Sequence, residues 1–379
     1  MENGPETEFR AHFSKALPWA ARAAIVWAML SWPSPPRVLL VPGPPHTVQT
    51  EHPVACVHTR LTDEIEPWKM LKTLELVREL GAPTIVEYFP WAYVEGPQGR
   101  YNWWHVDQVV DFANHQGLTI IARLGLVPDW ARPKPEAQQT LDSFLDPDRY
   151  ADFGEFVYQF VRHTAGRVKY VIIWNEPNLA IEWGFRPVDP EGYTALLKVA
   201  YSRAKEADSQ VIVLGGALAP TLEPVGSELG MNDLDYLGRM YMAGAGKYFD
   251  MLAAHAYGLT FPPDDPPSAG ATNFRRIELL RQVMLEHGDG HKSVMITESG
   301  WNDSPRWTRG VRAGARIDYT LRAAEWAERH WPYVKAVCTW MFRLPAPARS
   351  YMDHFAFVTP DFQLRPIYEA YRDWARGEE

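Results

Sequence analysis

From residue 54 onward, short β-rich apolar runs alternate with longer stretches in which apolar residues recur at helical spacing, and the alternation repeats eight times. The short runs predict strands over 55–59, 84–88, 119–124, 168–174, 211–215, 251–256, 294–297 and 336–341. Between the first two, Ile65, Trp68, Met70, Leu71, Leu74, Leu76 and Val77 recur along 62–80, with Thr62 or Asp63 as the cap and Gly81 as the stop. Further helices are predicted over 192–207 and 366–375. Such alternation implies a parallel sheet with helices outside it, and eight is the number of strands that closes a barrel. The expected fold is therefore α/β, a single (β/α)8 TIM barrel over 46–379 preceded by an N-terminal extension over 1–45. The cluster Pro262-Pro263-Asp264-Asp265-Pro266-Pro267 cannot be regular structure and should loop over the active face.

In such a barrel, residues at the carboxyl ends of the strands carry the chemistry. The fourth predicted strand runs into Trp174-Asn175-Glu176-Pro177-Asn178, and the seventh into Glu298-Ser299-Gly300-Trp301. Two carboxylates at strand ends, one beside an amide that can hold a sugar hydroxyl, form the arrangement that cleaves glycosidic bonds. The sixth strand ends in His255-Ala256-Tyr257, whose alternation turns imidazole and phenol to one side, and the eighth reaches Trp340.

These residues resemble clan A of the retaining glycoside hydrolases, with families 39 and 5 (the cellulase-type glycosyl hydrolases) the most similar. The likeness rests on Asn175-Glu176-Pro177, His255 and Tyr257, Thr297-Glu298-Ser299-Gly300-Trp301 and Trp340. The stretch 91–107, with Trp91, Glu95, Gly99, Tyr101, Trp103 and Asp107, is similar to the second loop of such enzymes, and Asp129-Trp130-Ala131 to the third. The resemblance implies that Glu176 is the general acid/base and Glu298 the nucleophile of a retaining glycosidase acting on a β-linked glycan. Asn175 would bind the substrate 2-hydroxyl, Tyr257 would hold Glu298, and Trp340 would floor the sugar site. His255, Trp301, Trp130 and Trp91 are further candidates for substrate contact. Clan members usually carry an arginine near the end of strand two, where this chain reads Ile85-Val86-Glu87-Tyr88. Arg60 and Arg123 are the candidates to replace it, with Glu87 as an ion-pair partner of one of them. A transglycosylase would use the same residues, and a non-catalytic carbohydrate-binding barrel is the alternative of another class.

Composition agrees with a carbohydrate cleft. Aromatic residues make up 13% of the chain, including 16 Trp and 17 Tyr, and such rings stack on the C–H faces of sugars. A net charge of -9 without a basic patch argues against nucleic acid. The expected partner is an oligo- or polysaccharide. The 12 histidines show no HExxH or similar metal-ligand spacing and no Gly-rich phosphate loop is evident, so no metal and no cofactor are expected.

The apolar stretch 16–32 is interrupted by Arg22, and its uncharged part is too short to span a bilayer. It reads as the core of a signal peptide or as an amphipathic surface helix, so an extracytoplasmic or membrane-surface location is favoured, with membrane association only through this stretch. Cys56 and Cys338 fall on the first and last predicted strands, neighbours once the barrel closes. A pair of buried thiols is the expectation, with a disulfide only if the protein is exported and the backbones lie close enough.

Overall fold

The computed structural model describes residues 43–133 and 143–378. The N-terminal stretch 16–32 lies outside them. The compact unit Pro44–Glu379 holds a closed barrel of eight parallel strands in sequential order. Its strands are β1 (Ala55–His58), β2 (Thr84–Pro90), β3 (Thr119–Gly125), β4 (Tyr170–Ile173), β5 (Ile212–Leu218), β6 (Met251–Tyr257), β7 (Val294–Gly300) and β8 (Val334–Thr339). Each is followed by an outer helix: α1 (Pro67–Leu80), α2 (Trp104–His115), α3 (Tyr150–His163), α4 (Pro190–Ala207), α5 (Asp233–Met242), α6 (Ile277–Glu286), α7 (Ala313–His330) and α8 (Pro366–Arg376). None of the described helices is long and apolar enough to cross a membrane.

Local chemistry moves several boundaries from their predicted places. Helix α1 starts at Pro67, whose missing N–H suits the first helical turn, while Thr62 bonds Glu87 instead of capping a helix. Helix α4 starts at Pro190 because the Asp189 carboxylate accepts from Gly192 N at 2.8 Å. Strand β4 is shorter than predicted because Trp174 turns to φ 71°, a left-handed conformation that ends extended pairing. The loop that contains Pro262–Pro267 is irregular, as expected, and follows β6.

A small apolar layer fills the barrel: Cys56, Val86, Ile121, Ile172, Leu214, Ala217, Met251, Ala253, Met295, Ala336 and Cys338. Because side chains alternate along a strand, the inward position two residues beyond this layer is the rim where chemistry can occur. It holds His58, Tyr88, Arg123, His255 and Trp340, so the barrel's own packing aims these groups at one place. The cysteines lie opposite each other, Cys56 paired with Cys338 across β1 and β8, and they form a disulfide with Cα atoms 4.1 Å apart. This corrects the expectation of two thiols.

Candidate active site

Strict alternation from Met295 would turn Thr297 inward and Glu298 away. A bulge changes this: Ala254 pairs with Ile296 but His255 with Glu298, so β7 fits one extra residue at Thr297. Bulges re-aim side chains, and this one brings Glu298 opposite His255. Glu176 is delivered by a different device. Trp174 and Glu176 both have positive φ, 71° and 39°, on either side of Asn175. The turn is pinned by backbone bonds from Trp174 N to Leu124 O (2.9 Å) and from Glu176 N to Ala217 O (3.0 Å), and by the Trp174 indole N–H donating to Glu182 O (2.9 Å). Left-handed conformations cost about 1–3 kcal/mol each in non-glycine residues and persist only where the surroundings over-determine them.

The two carboxylates and the imidazole between them form one cluster. One oxygen of Glu176, one of Glu298 and a ring nitrogen of His255 all lie within 4.8 Å of one another. His255 Nδ1 is 2.7 Å from Glu176 Oε1 and 3.7 Å from Glu298 Oε2. Arg123 Nη1 donates to Glu298 Oε1 and to Asn175 Oδ1, each at 2.7 Å, and its guanidinium lies 4.8 Å from the centre of the Tyr88 ring. The Tyr257 hydroxyl donates to Glu298 Oε2 at 2.8 Å.

These contacts set the charges. Burial by itself raises the Glu298 carboxyl, but the charges of His255 and Arg123, with the Tyr257 hydrogen bond, outweigh it and hold the carboxyl below its ordinary value. Burial opposes protonation of His255, yet the negative charges of Glu298 and Glu176 raise it above the ordinary imidazole value. Burial and the Arg123 charge instead push His58 well below that value, leaving it neutral 3.9 Å from Glu298.

Most of the predicted residues meet here, though not all in the predicted way. Glu176, Asn175, Glu298, Tyr257, Trp340, Arg60 and Arg123 line a cleft of about 680 Å³. His255 is 2% exposed and stands behind the two carboxylates instead of lining the cleft. Arg123 takes the position against Glu298, while Arg60 forms no ion pair with Glu298 or Glu87 among the described residues.

Glu87 is not an arginine's partner. It is fully buried and accepts from the Leu61 N–H at 2.8 Å, the Thr62 hydroxyl at 3.0 Å, the Tyr88 N–H at 3.0 Å and the Thr59 hydroxyl. Four neutral donors satisfy its charge, which braces the loop after β1.

Three of the predicted sugar-binding tryptophans are packing. Trp91 is fully buried against Phe153 and Phe156 of α3, and its indole donates to Glu95 Oε2 at 2.6 Å. Trp130 meets Trp91 edge-on and donates to Glu95 O at 3.2 Å, tying the second and third loops together. Trp301 is 2% exposed, donates to Phe261 O at 2.8 Å, and lies so close to Gly258 that a Cβ there would overlap its ring. In each case the indole N–H finds a loop acceptor away from the cleft.

Sequence reasoning missed Glu182, His58 and Asn178. Glu182 follows Glu176 by six residues on a single 3-10 turn and lines both this cleft and an adjoining lobe of about 430 Å³. Burial, then the Glu176 charge, pushes its carboxyl up to about 7. Asn178 was in plain view after Pro177, but its role as a staple between two loops depends on tertiary contacts.

No family model and no curated protein matches this chain. Solved structures resemble it. A family 39 glycoside hydrolase from Bacteroides cellulosilyticus superposes with a TM-score of 0.69 at 21% identity, over 88% of this chain and 65% of that one. A monomeric beta-xylosidase from Caulobacter crescentus gives 0.60 at 19% identity, over 86% and 69%. A GH5_18 variant from Bifidobacterium longum, in complex with Manb1-4GlcNAc, gives 0.63 at 13% identity, over 87% and 77%. The chain thus spans less than two thirds of the first of these proteins. At these identities the likeness is one of fold, and the barrel is shared throughout.

Proposed function

We propose that this protein is a retaining glycoside hydrolase acting on β-linked substrates. The observation that carries the reading is the short separation of the two carboxylates, with oxygens of Glu176 and Glu298 within 4.8 Å. Retaining enzymes hold their carboxyl groups about 5–5.5 Å apart, whereas inversion needs about 6.5–9.5 Å to admit a water. The charge pattern supports the same division of labour, since Glu298 is kept ionised by Arg123 and Tyr257 while Glu176 shares a hydrogen bond with a protonatable His255. The likeness to solved glycoside hydrolases of families 39 and 5 agrees with it.

In the first step Glu298 attacks the anomeric carbon as the bond to the leaving oxygen breaks, and Glu176 gives that oxygen a proton. In the second, the Glu176 carboxylate takes a proton from water, whose oxygen displaces Glu298 from the anomeric carbon. Asn175, oriented by Arg123, is placed to bond the sugar's 2-hydroxyl, and Trp340 to pack on its ring. A sugar hydroxyl replacing that water would give transglycosylation. The Cys56–Cys338 disulfide supports an extracytoplasmic location, where such bonds persist.

Two variants test the roles. Glu298→Gln should abolish turnover of every aryl glycoside. Glu176→Ala should retain the first step on substrates with good leaving groups, which need no proton, and azide should accelerate their turnover by attacking the glycosyl-enzyme. Equal loss in both variants without azide rescue would exclude this mechanism.

A further inference from the structure

The cleft has two chemically different sides. Around Glu298, the ends of β6 to β8 supply aromatic rings: Tyr257, Trp307, Trp340, Tyr351 and Phe355. On the Glu176 side, the loops after β4 and β5 contribute an aliphatic wall of Leu179, Ala219, Pro220 and Leu222. Sugars are bound by flat rings and hydrogen-bonding groups, and these side chains offer neither. Thr221, Glu223 and, beside Glu176, Glu182 also stand on this side, with the Glu223 carboxylate accepting from the Ser227 hydroxyl of its own loop at 2.6 Å.

The aliphatic wall is rigid and continuous with the general acid. Leu179 lies three residues beyond Glu176. The fully buried Asn178 between them donates to Ala219 O (2.9 Å) and Met231 O (3.1 Å) and accepts from Ala219 N (2.9 Å). The loop after β4 and the loop after β5 are thereby fixed as one surface. Their apolar character continues outward, because Ala180 N bonds Leu229 O and the neighbouring Ile181 and Leu229 are 56% and 69% exposed. Ile181 and Phe185 carry the same character into the adjoining lobe.

A general acid protonates the leaving oxygen, so the leaving group must lie on the Glu176 side. We infer that the aglycone this enzyme accepts is an alkyl chain of the kind found in glycolipids, held on the Leu179–Leu222 wall, and that a second sugar is not its preferred occupant. The inference rests on the glycosidase reading above for the direction of the leaving group. Burying a methylene contributes about 0.8 kcal/mol, or up to about fourfold in affinity.

The test is a series of alkyl β-glycosides from methyl to octyl, compared with a β-linked disaccharide of the same glycone. The inference expects kcat/KM to rise about two- to fourfold per methylene from butyl to octyl, the octyl glycoside to exceed the disaccharide, and Leu222→Ser to flatten the slope. A flat series, or a preferred disaccharide, overturns it. Calorimetric binding of the same series to Glu298→Gln gives a readout that needs no turnover: a Kd that falls with chain length supports the apolar site, and a length-independent Kd overturns it. Absence of turnover on every substrate, together with length-dependent binding, would sink the glycosidase reading and leave the apolar site standing.

Discussion

Arg123 is the residue on which the charge of the site turns. It reaches Glu298 from β3, where the third strand's alternation places it two residues above Ile121 in the barrel layer. Its charge is one of those that keep Glu298 below the ordinary carboxylate range. Removing it raises that carboxyl, and in the proposed mechanism Glu298 must be ionised to attack. Arg123→Met should therefore shift the acidic limb of the kcat/KM profile to higher pH and lower turnover by about 10²-fold, the typical cost of losing one preorganised donor. An unmoved acidic limb would show that His255 and Tyr257 suffice without it. Glu182 gives a second pH-dependent prediction. Because its carboxyl sits at about 7, raising the pH through neutrality adds a negative charge beside Glu176 and Asn175. Glu182→Gln should erase any inflection near pH 7 in kcat/KM, and its persistence would assign that inflection to His255.

Among elements, the loops after β1 and β4 show how buried polar groups shape a rim. The loop Thr59–Thr62 is tied to β2 by bonds to the Val86 and Tyr88 carbonyls and through Glu87, whose carboxylate receives four donors and no cation. A glutamine there would point an amide N–H at groups that also donate, leaving buried polar atoms unpaired. Glu87→Gln should destabilise the protein by about 2–3 kcal/mol in denaturant titration while leaving the acidic limb of the activity profile in place. A shifted limb with unchanged stability would instead assign Glu87 to the catalytic machinery. The bulge at Thr297 and the left-handed turn at Trp174–Glu176 are the complementary devices. Each departs from regular strand geometry at the point where a carboxylate has to face inward.

For the molecule as a whole, the seam between β1 and β8 joins the two ends of the barrel sequence. The Cys56–Cys338 bond joins them across a sequence separation of 282, beneath the catalytic rim. Cross-links that close long loops restrict the unfolded chain most, typically by about 2–4 kcal/mol. The double replacement of both cysteines by alanine should lower the denaturation midpoint accordingly, with activity at 25 °C little changed because neither sulfur touches the cleft. Equal midpoints for the two proteins would show that barrel packing alone holds the seam.

Strand and helix alternation, both carboxylates, Asn175, Tyr257, Trp340 and the two candidate arginines were legible in the order of residues. Periodicity reports which positions are apolar, and strand ends are where barrel chemistry sits. What sequence could not supply was direction. Trp91, Trp130 and Trp301 stand at strand ends or in strand-end loops like true cleft residues, and only packing against α3, Glu95 and Gly258 shows that they turn away. The choice of Arg123 over Arg60, the neutral donors around Glu87, the pairing of the cysteines and the gathering of Glu182 beside Glu176 were likewise decided in three dimensions. Each depends on which neighbour satisfies a buried polar group, and those neighbours lie on other strands and loops.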